Sequence, residues 1–127
     1  MKVPVLRQGP YLIATIQSAL SDADLLELRN SLGEETRRTR ARGVVLDVTS
    51  MDVLDSFATR TLQEMGQMIR LLGARTVIVG LQPEVALAMV QLGLHLDGLV
   101  TALDLEEGLA WLRSQEAREV RERRRQR

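Results

Sequence analysis

The side chains able to do chemistry in this 127-residue chain are few, and most of them crowd one stretch. Asp47, Asp52, Asp55 and Ser56 fall close together. Carboxylates placed after an internal strand can hold Mg²⁺ or accept a phosphoryl group. Such schemes need a cation facing the transferred charge, commonly a lysine on another strand. The only lysine is Lys2. The stronger reading of the residues is that Asp52 and Asp55 cap a helix and Asp47 is a polar strand-end residue. Ser56 then lies in the first turn of that helix, where free N–H groups and the helix dipole favour negative charge. By itself, it reads first as a helix-start residue.

The remaining inventory is thin. His95 is the one histidine, set between Leu94 and Leu96 just after a predicted helix, with no companions at metal-ligand spacing. It reads as a loop histidine. No phosphate-binding loop of the G-x-x-x-x-G-K-[ST] kind and no G-x-S-x-G elbow is present. There is no cysteine, so disulfides, zinc-thiolate sites and thiol catalysis are excluded. Six arginines after Ser114 share the C-terminal end with Glu116, Glu119 and Glu122. A nucleic-acid surface there ranks lowest, because 17 basic and 17 acidic side chains cancel and leave no overall attracting field.

The elements that position these groups can be read from periodicity. Hydrophobic residues make up 45% and aromatics only 2%, so one aliphatic core is expected. Val3 to Leu6 and Tyr11 to Ile16 flank Gly9-Pro10 and predict an N-terminal hairpin. Ser21 with Asp24 resembles a capping box opening a helix through Leu25, Leu28 and Leu32, with Gly43 as its terminator. Val44 to Val48 predicts a buried strand. Leu62, Met65, Ile69 and Leu72 predict the inner face of a second helix ended by Gly73. Thr76 to Val79 is the next strand. Pro83 opens a third helix closed by Gly93. Leu99 to Ala102 is the last strand, and Asp104 with Glu107 opens a fourth helix.

This order predicts an α/β fold in a single domain, with a mixed, mostly parallel sheet, the N-terminal hairpin and about four helices. The domain is expected over residues 1–113. Residues 114–127 are expected as a charged, arginine-rich, frayed helical extension, because they have almost nothing apolar to bury. No apolar run is long enough to span a membrane, and no secretory signal is expected. A cytoplasmic location follows as the expectation.

The stretch from Asp47 to Arg60, with Asp52-Val53-Leu54-Asp55-Ser56-Phe57 at its centre, resembles the STAS domains of anti-sigma-factor antagonists. Those domains usually continue with Ser-Gly, where this chain has Phe57-Ala58. The resemblance is stronger to the stressosome branch, the RsbS-like proteins. It runs from about Val3 to Leu112 and includes Pro4 to Gly9, Leu71 to Arg75, Val79 to Pro83 and Leu92 to Leu94.

That resemblance implies a non-catalytic scaffold without cofactor or metal, phosphorylated on Ser56. Asp52, Asp55, Ser56, Phe57 and Thr59 would form its kinase-binding surface. The implied partners are an RsbT-like serine/threonine kinase, RsbR-like STAS sensor proteins, an RsbX-like phosphatase and further copies of the chain, with no nucleic acid and no membrane. Self-association also draws on Leu81, Leu94 and Leu96, leucines expected to be exposed in loops. The alternatives are a single-domain anti-sigma-factor antagonist of a partner-switching module and a small Mg-dependent phosphatase.

Overall fold

The computed structural model describes residues 3–17 and 20–126, so Lys2 and Arg127 lie outside it. Strands β1 (Val5–Gln8) and β2 (Tyr11–Thr15) form the predicted antiparallel hairpin. Helix α1 (Asp22–Thr39), β3 (Gly43–Asp47), α2 (Ser56–Leu71), β4 (Arg75–Val79), α3 (Pro83–Leu92), β5 (Val100–Ala102) and α4 (Leu105–Arg125) follow in turn. The sheet runs β1-β2-β3-β4-β5, and every pairing after the hairpin is parallel.

The central strands are covered on both faces, which is why they are apolar almost throughout. Leu12, Ala14, Val44, Leu46 and Ile78 face one way and pack with buried residues of α1, α2 and α3, among them Leu28, Leu62 and Met89. Tyr11, Ile13, Val45, Val77 and Val79 face the other way, onto Leu109 and Leu112 of α4. Burial pushes the Tyr11 phenol up to about 12, and the neighbouring Glu116 carboxylate adds to the shift.

One local expectation needs correcting. Gly43 does not end α1; Arg40 does, in the left-handed conformation with φ 52°, while Gly43 opens β3. Gly33 lies inside α1 at a point of close approach to α2. A Cβ there would lie 2.9 Å from the sulfur of Met68 on α2. The capping box at Ser21 and Asp24 is reciprocal, with both hydrogen bonds at 3.1 Å.

The C-terminal segment also differs from expectation. Helix α4 continues without a break past Ser114 to Arg125. Glu119 reaches back to the start of the sheet, 2.8 Å from Arg75 and 3.5 Å from Arg42, with Arg123 at 3.9 Å. The holding interaction is ionic, so it leaves no apolar period in the sequence.

At this same end of the sheet, where β5 enters, pairing begins only at Val77↔Val100. Arg75 and Thr76 of β4 therefore pair with β3 alone and leave an uncovered notch in the sheet edge.

Candidate functional site

The site lies beyond the carboxyl ends of the parallel strands, where the β3–α2 loop presents Ser56. Asp55 is the N-cap of α2, in extended conformation, and its Oδ1 accepts from the Ala58 N–H at 2.8 Å. The Asp55 carbonyl accepts from Thr59 N–H at 2.9 Å. Ser56 is thus the first helical residue and is exposed. Its own amide and that of Phe57 have no acceptor within the helix.

Leu54 and Met51 are buried beneath the loop and fix it to the core. Asp52 and Asp55 are exposed, Val53 is 70% exposed, and Phe57 is half-buried against the core. The surface around the serine hydroxyl therefore carries the carboxylates of Asp52 and Asp55 and an apolar spot, with Arg60 exposed one helical turn on. Thr59 does not belong to it. At 3% exposure it faces inward from α2, one helical turn beyond Asp55, so its side chain is closed to a partner.

The three aspartates have separate tasks. Asp47 is half-buried, and its Oδ1 accepts from Thr49 N–H at 3.0 Å and from Thr49 Oγ1–H at 2.6 Å. Asp55 caps α2, whereas Asp52 stands exposed and, contrary to expectation, is not the cap. Among the described residues no group of three or more His, Cys, Asp or Glu side chains is placed to hold a metal ion. His95 is exposed after α3, where its carbonyl accepts from the Gln63 side-chain amide.

The loop is braced from the next strand. Gln82 Nε2–H donates to the Thr49 carbonyl at 2.6 Å. Gly80, with φ 79°, passes so close that a Cβ would overlap Thr49 Oγ1. Its amide donates to the Leu103 carbonyl at 3.2 Å, joining the loop after β5 to the same cluster. Sequence reasoning found the Gly80-Leu81-Gln82-Pro83 turn but not its grip on the Ser56 loop, because that contact crosses between strands.

The loop leucines also fall differently. Leu81, Leu94 and Leu96 are partly buried against the core. The exposed apolar residues of this region are Leu87, Val90 and Leu92 of α3.

The cap can be tested directly. Asp55→Ala should lower stability by about 0.5–2 kcal/mol, and Asp55→Asn by much less, since Asn also caps well. Urea unfolding of both variants measures this. Equal midpoints for Asp55→Ala and wild type would show that the cap contributes nothing.

The comparisons with known proteins agree with the fold. The STAS domain profile matches residues 2–107. A serine-to-glutamate form of RsbS from Moorella thermoacetica superposes with a TM-score of 0.80 at 31% identity, over 92% of this chain and 99% of that one. A chain from the molecular architecture of the stressosome, a signal integration and transduction hub, gives a TM-score of 0.76 at 33% identity, covering 89% and 98%. By sequence, the RsbT co-antagonist protein RsbRA of Bacillus subtilis is 30% identical over 70 residues, 55% of this chain. The chain spans 26% to 30% of the length of the curated relatives it matches.

Proposed function

The chain belongs to the STAS domain family, and from that footing we propose that it is a regulatory scaffold of a stressosome-type complex, switched by phosphorylation of Ser56. The observation that carries the reading is an exposed serine at the first position of α2, a helix capped by Asp55, with the exposed Asp52 in the same loop. Its likeness to RsbS and to the stressosome chain, over nearly the whole of each, supports a regulatory role.

The physics of the switch is local. A phosphate on Ser56 adds about −1.5 to −2 charge units beside Asp52 and Asp55. At a helix N-terminus that charge stabilises the fold by about 0.3–1 kcal/mol. A partner resting on Val53, Phe57 and the serine meets a changed surface while the core stays as it was. In this proposal the partner is an RsbT-like kinase, held by the unphosphorylated loop and released once Ser56 is modified. The chain assembles with copies of itself and with RsbR-like STAS proteins. An RsbX-like phosphatase resets the exposed phosphate, and the chain itself catalyses nothing and acts in the cytoplasm. No described helix is long and apolar enough to cross a membrane.

The test is incubation with an RsbT-type kinase and ATP, followed by mass-spectrometric site mapping and a kinase pull-down. Phosphate is expected on Ser56 and absent from Ser56→Ala, which retains the kinase. Ser56→Asp should weaken retention, though less than true phosphorylation, because a carboxylate carries about one charge and phosphate up to about two. Phosphate confined to Thr49, or Ser56→Asp holding the kinase as wild type does, would sink the proposal.

A further inference from the structure

The hairpin leaves β1 at the edge of the sheet, paired with β2 on one side only. The direction of its free backbone groups can be traced from β2. The Pro10 carbonyl accepts from Arg42 N–H, and Ile16 N–H donates to the Asp47 carbonyl, so the even-numbered residues of β2 bond toward β3. Backbone direction alternates along a strand, so Tyr11 and Ile13 turn toward β1, where they face Gln8 and Leu6. Val5 and Arg7 therefore point their N–H and C=O groups outward. Among the described residues no backbone group beyond the hairpin bonds to them. A row of free backbone groups on an edge strand is a template for another strand.

Edge strands are commonly guarded by charge, proline or a bulge. On β1 these guards leave the outer side open. Pro4 precedes the strand with the parity of Leu6, so its missing N–H falls on the β2 side. Arg7 folds its Nε back onto the Gly9 carbonyl at 3.3 Å, over its own turn. Leu6 is 64% exposed. It lies on the same sheet face as its partner Ile13, the face that α4 covers only over β3, β4 and β5. The other edge strand, β5, has only three residues and offers less to pair with.

We infer that a second copy of the chain pairs with this edge, antiparallel, about a two-fold axis at Leu6. The register follows from the free groups. Centred on Leu6, Val5 of each copy stands opposite the partner's Arg7, and each such pair exchanges both of its hydrogen bonds. The two Leu6 side chains then meet as a closely spaced, non-hydrogen-bonded pair and cover each other. Centring on Arg7 would set two guanidinium groups opposite one another, which is unfavourable. Centring on Val5 would carry Arg7 past the end of the partner strand. In the Leu6 register the two five-stranded sheets join into one continuous sheet. The inference rests on the self-assembly proposed above and gives it a surface, and it uses none of the residues around Ser56.

The chain has no cysteine, so Leu6→Cys introduces a single thiol. In the inferred register the two Cα atoms at position 6 lie about 4.5 Å apart, within the roughly 4.4–6.8 Å that a disulfide spans. At position 7 they lie about 8–9 Å apart, beyond its reach. Under oxidised glutathione, Leu6→Cys should become a covalent dimer on a non-reducing denaturing gel, and Arg7→Cys should not. Sedimentation velocity gives the second reading. Wild type should associate as its concentration rises. Leu6→Arg, which sets like charges opposite, should raise the dimer dissociation constant about tenfold or more. Because Leu6 is exposed, its melting temperature as a monomer should hold. Equal linking of Leu6→Cys and Arg7→Cys would overturn the inference. A wild-type dimer that Leu6→Arg leaves intact would overturn the edge pairing alone and leave self-association standing. A wild-type monomer at every concentration would overturn both.

Discussion

Replacing Gly80 with alanine is expected to remove about 2–4 kcal/mol of stability and lower the melting temperature by roughly 10 °C. Two terms add. The residue holds φ 79°, a conformation that an L side chain adopts only with strain. The new methyl would also overlap Thr49 Oγ1 and lie 3.2 Å from Asp47 Oδ1. Thr49 cannot swing aside freely, because its hydroxyl and amide are both bound to Asp47 and its carbonyl is held by Gln82. A double variant separates the terms. Thr49→Ala in the Gly80→Ala background should recover the overlap and leave the backbone strain. Thermal melts of the two single variants and the pair read this as a coupling energy. Additive losses would show that the two side chains do not collide.

The second large effect is expected at Leu62. This leucine is fully buried on α2, the helix that presents Ser56. Leu62→Ala should cost about 2–5 kcal/mol through lost burial and the cavity left behind. Leu62→Met keeps the volume and should cost less than about 1.5 kcal/mol. Urea denaturation of both variants decides the matter. Equal midpoints for the alanine variant and wild type would mean that α2 is not held by this contact. Below their melting points both variants should still accept phosphate on Ser56, because the cap at Asp55 is untouched.

What the sequence disclosed follows from which interactions are periodic. The element order, the hairpin and the buried strands come from apolar spacing, and the structure reproduces them with ends moved by a residue or two. The Ser56 loop was legible because Asp55 and Ser56 are neighbours in the chain and capping is a local interaction. Thr59 was misplaced on the surface because a threonine carries no mark of which helical face it occupies. Helix α4 beyond Ser114 was read as frayed because its tether, Glu119 with Arg75 and Arg42, joins charged residues far apart in sequence. The notch beside β4 depends on where β5 begins to pair, and short apolar runs mark such boundaries poorly.

The strand order has a consequence for how the protein comes to be made. Each strand pairs with the one synthesised just before it, so no later segment is needed to complete an earlier pairing. During translation the hairpin can close first, and each following helix and strand can dock on an edge already waiting. Short, sequential crossovers keep loop-closure entropy low at every step. Helix α4 follows the last strand, so the sheet face carrying Val45 and Val77 stays bare until that helix leaves the ribosome. A nascent chain stalled before α4 would expose that face, and it is there that a chaperone would find its grip.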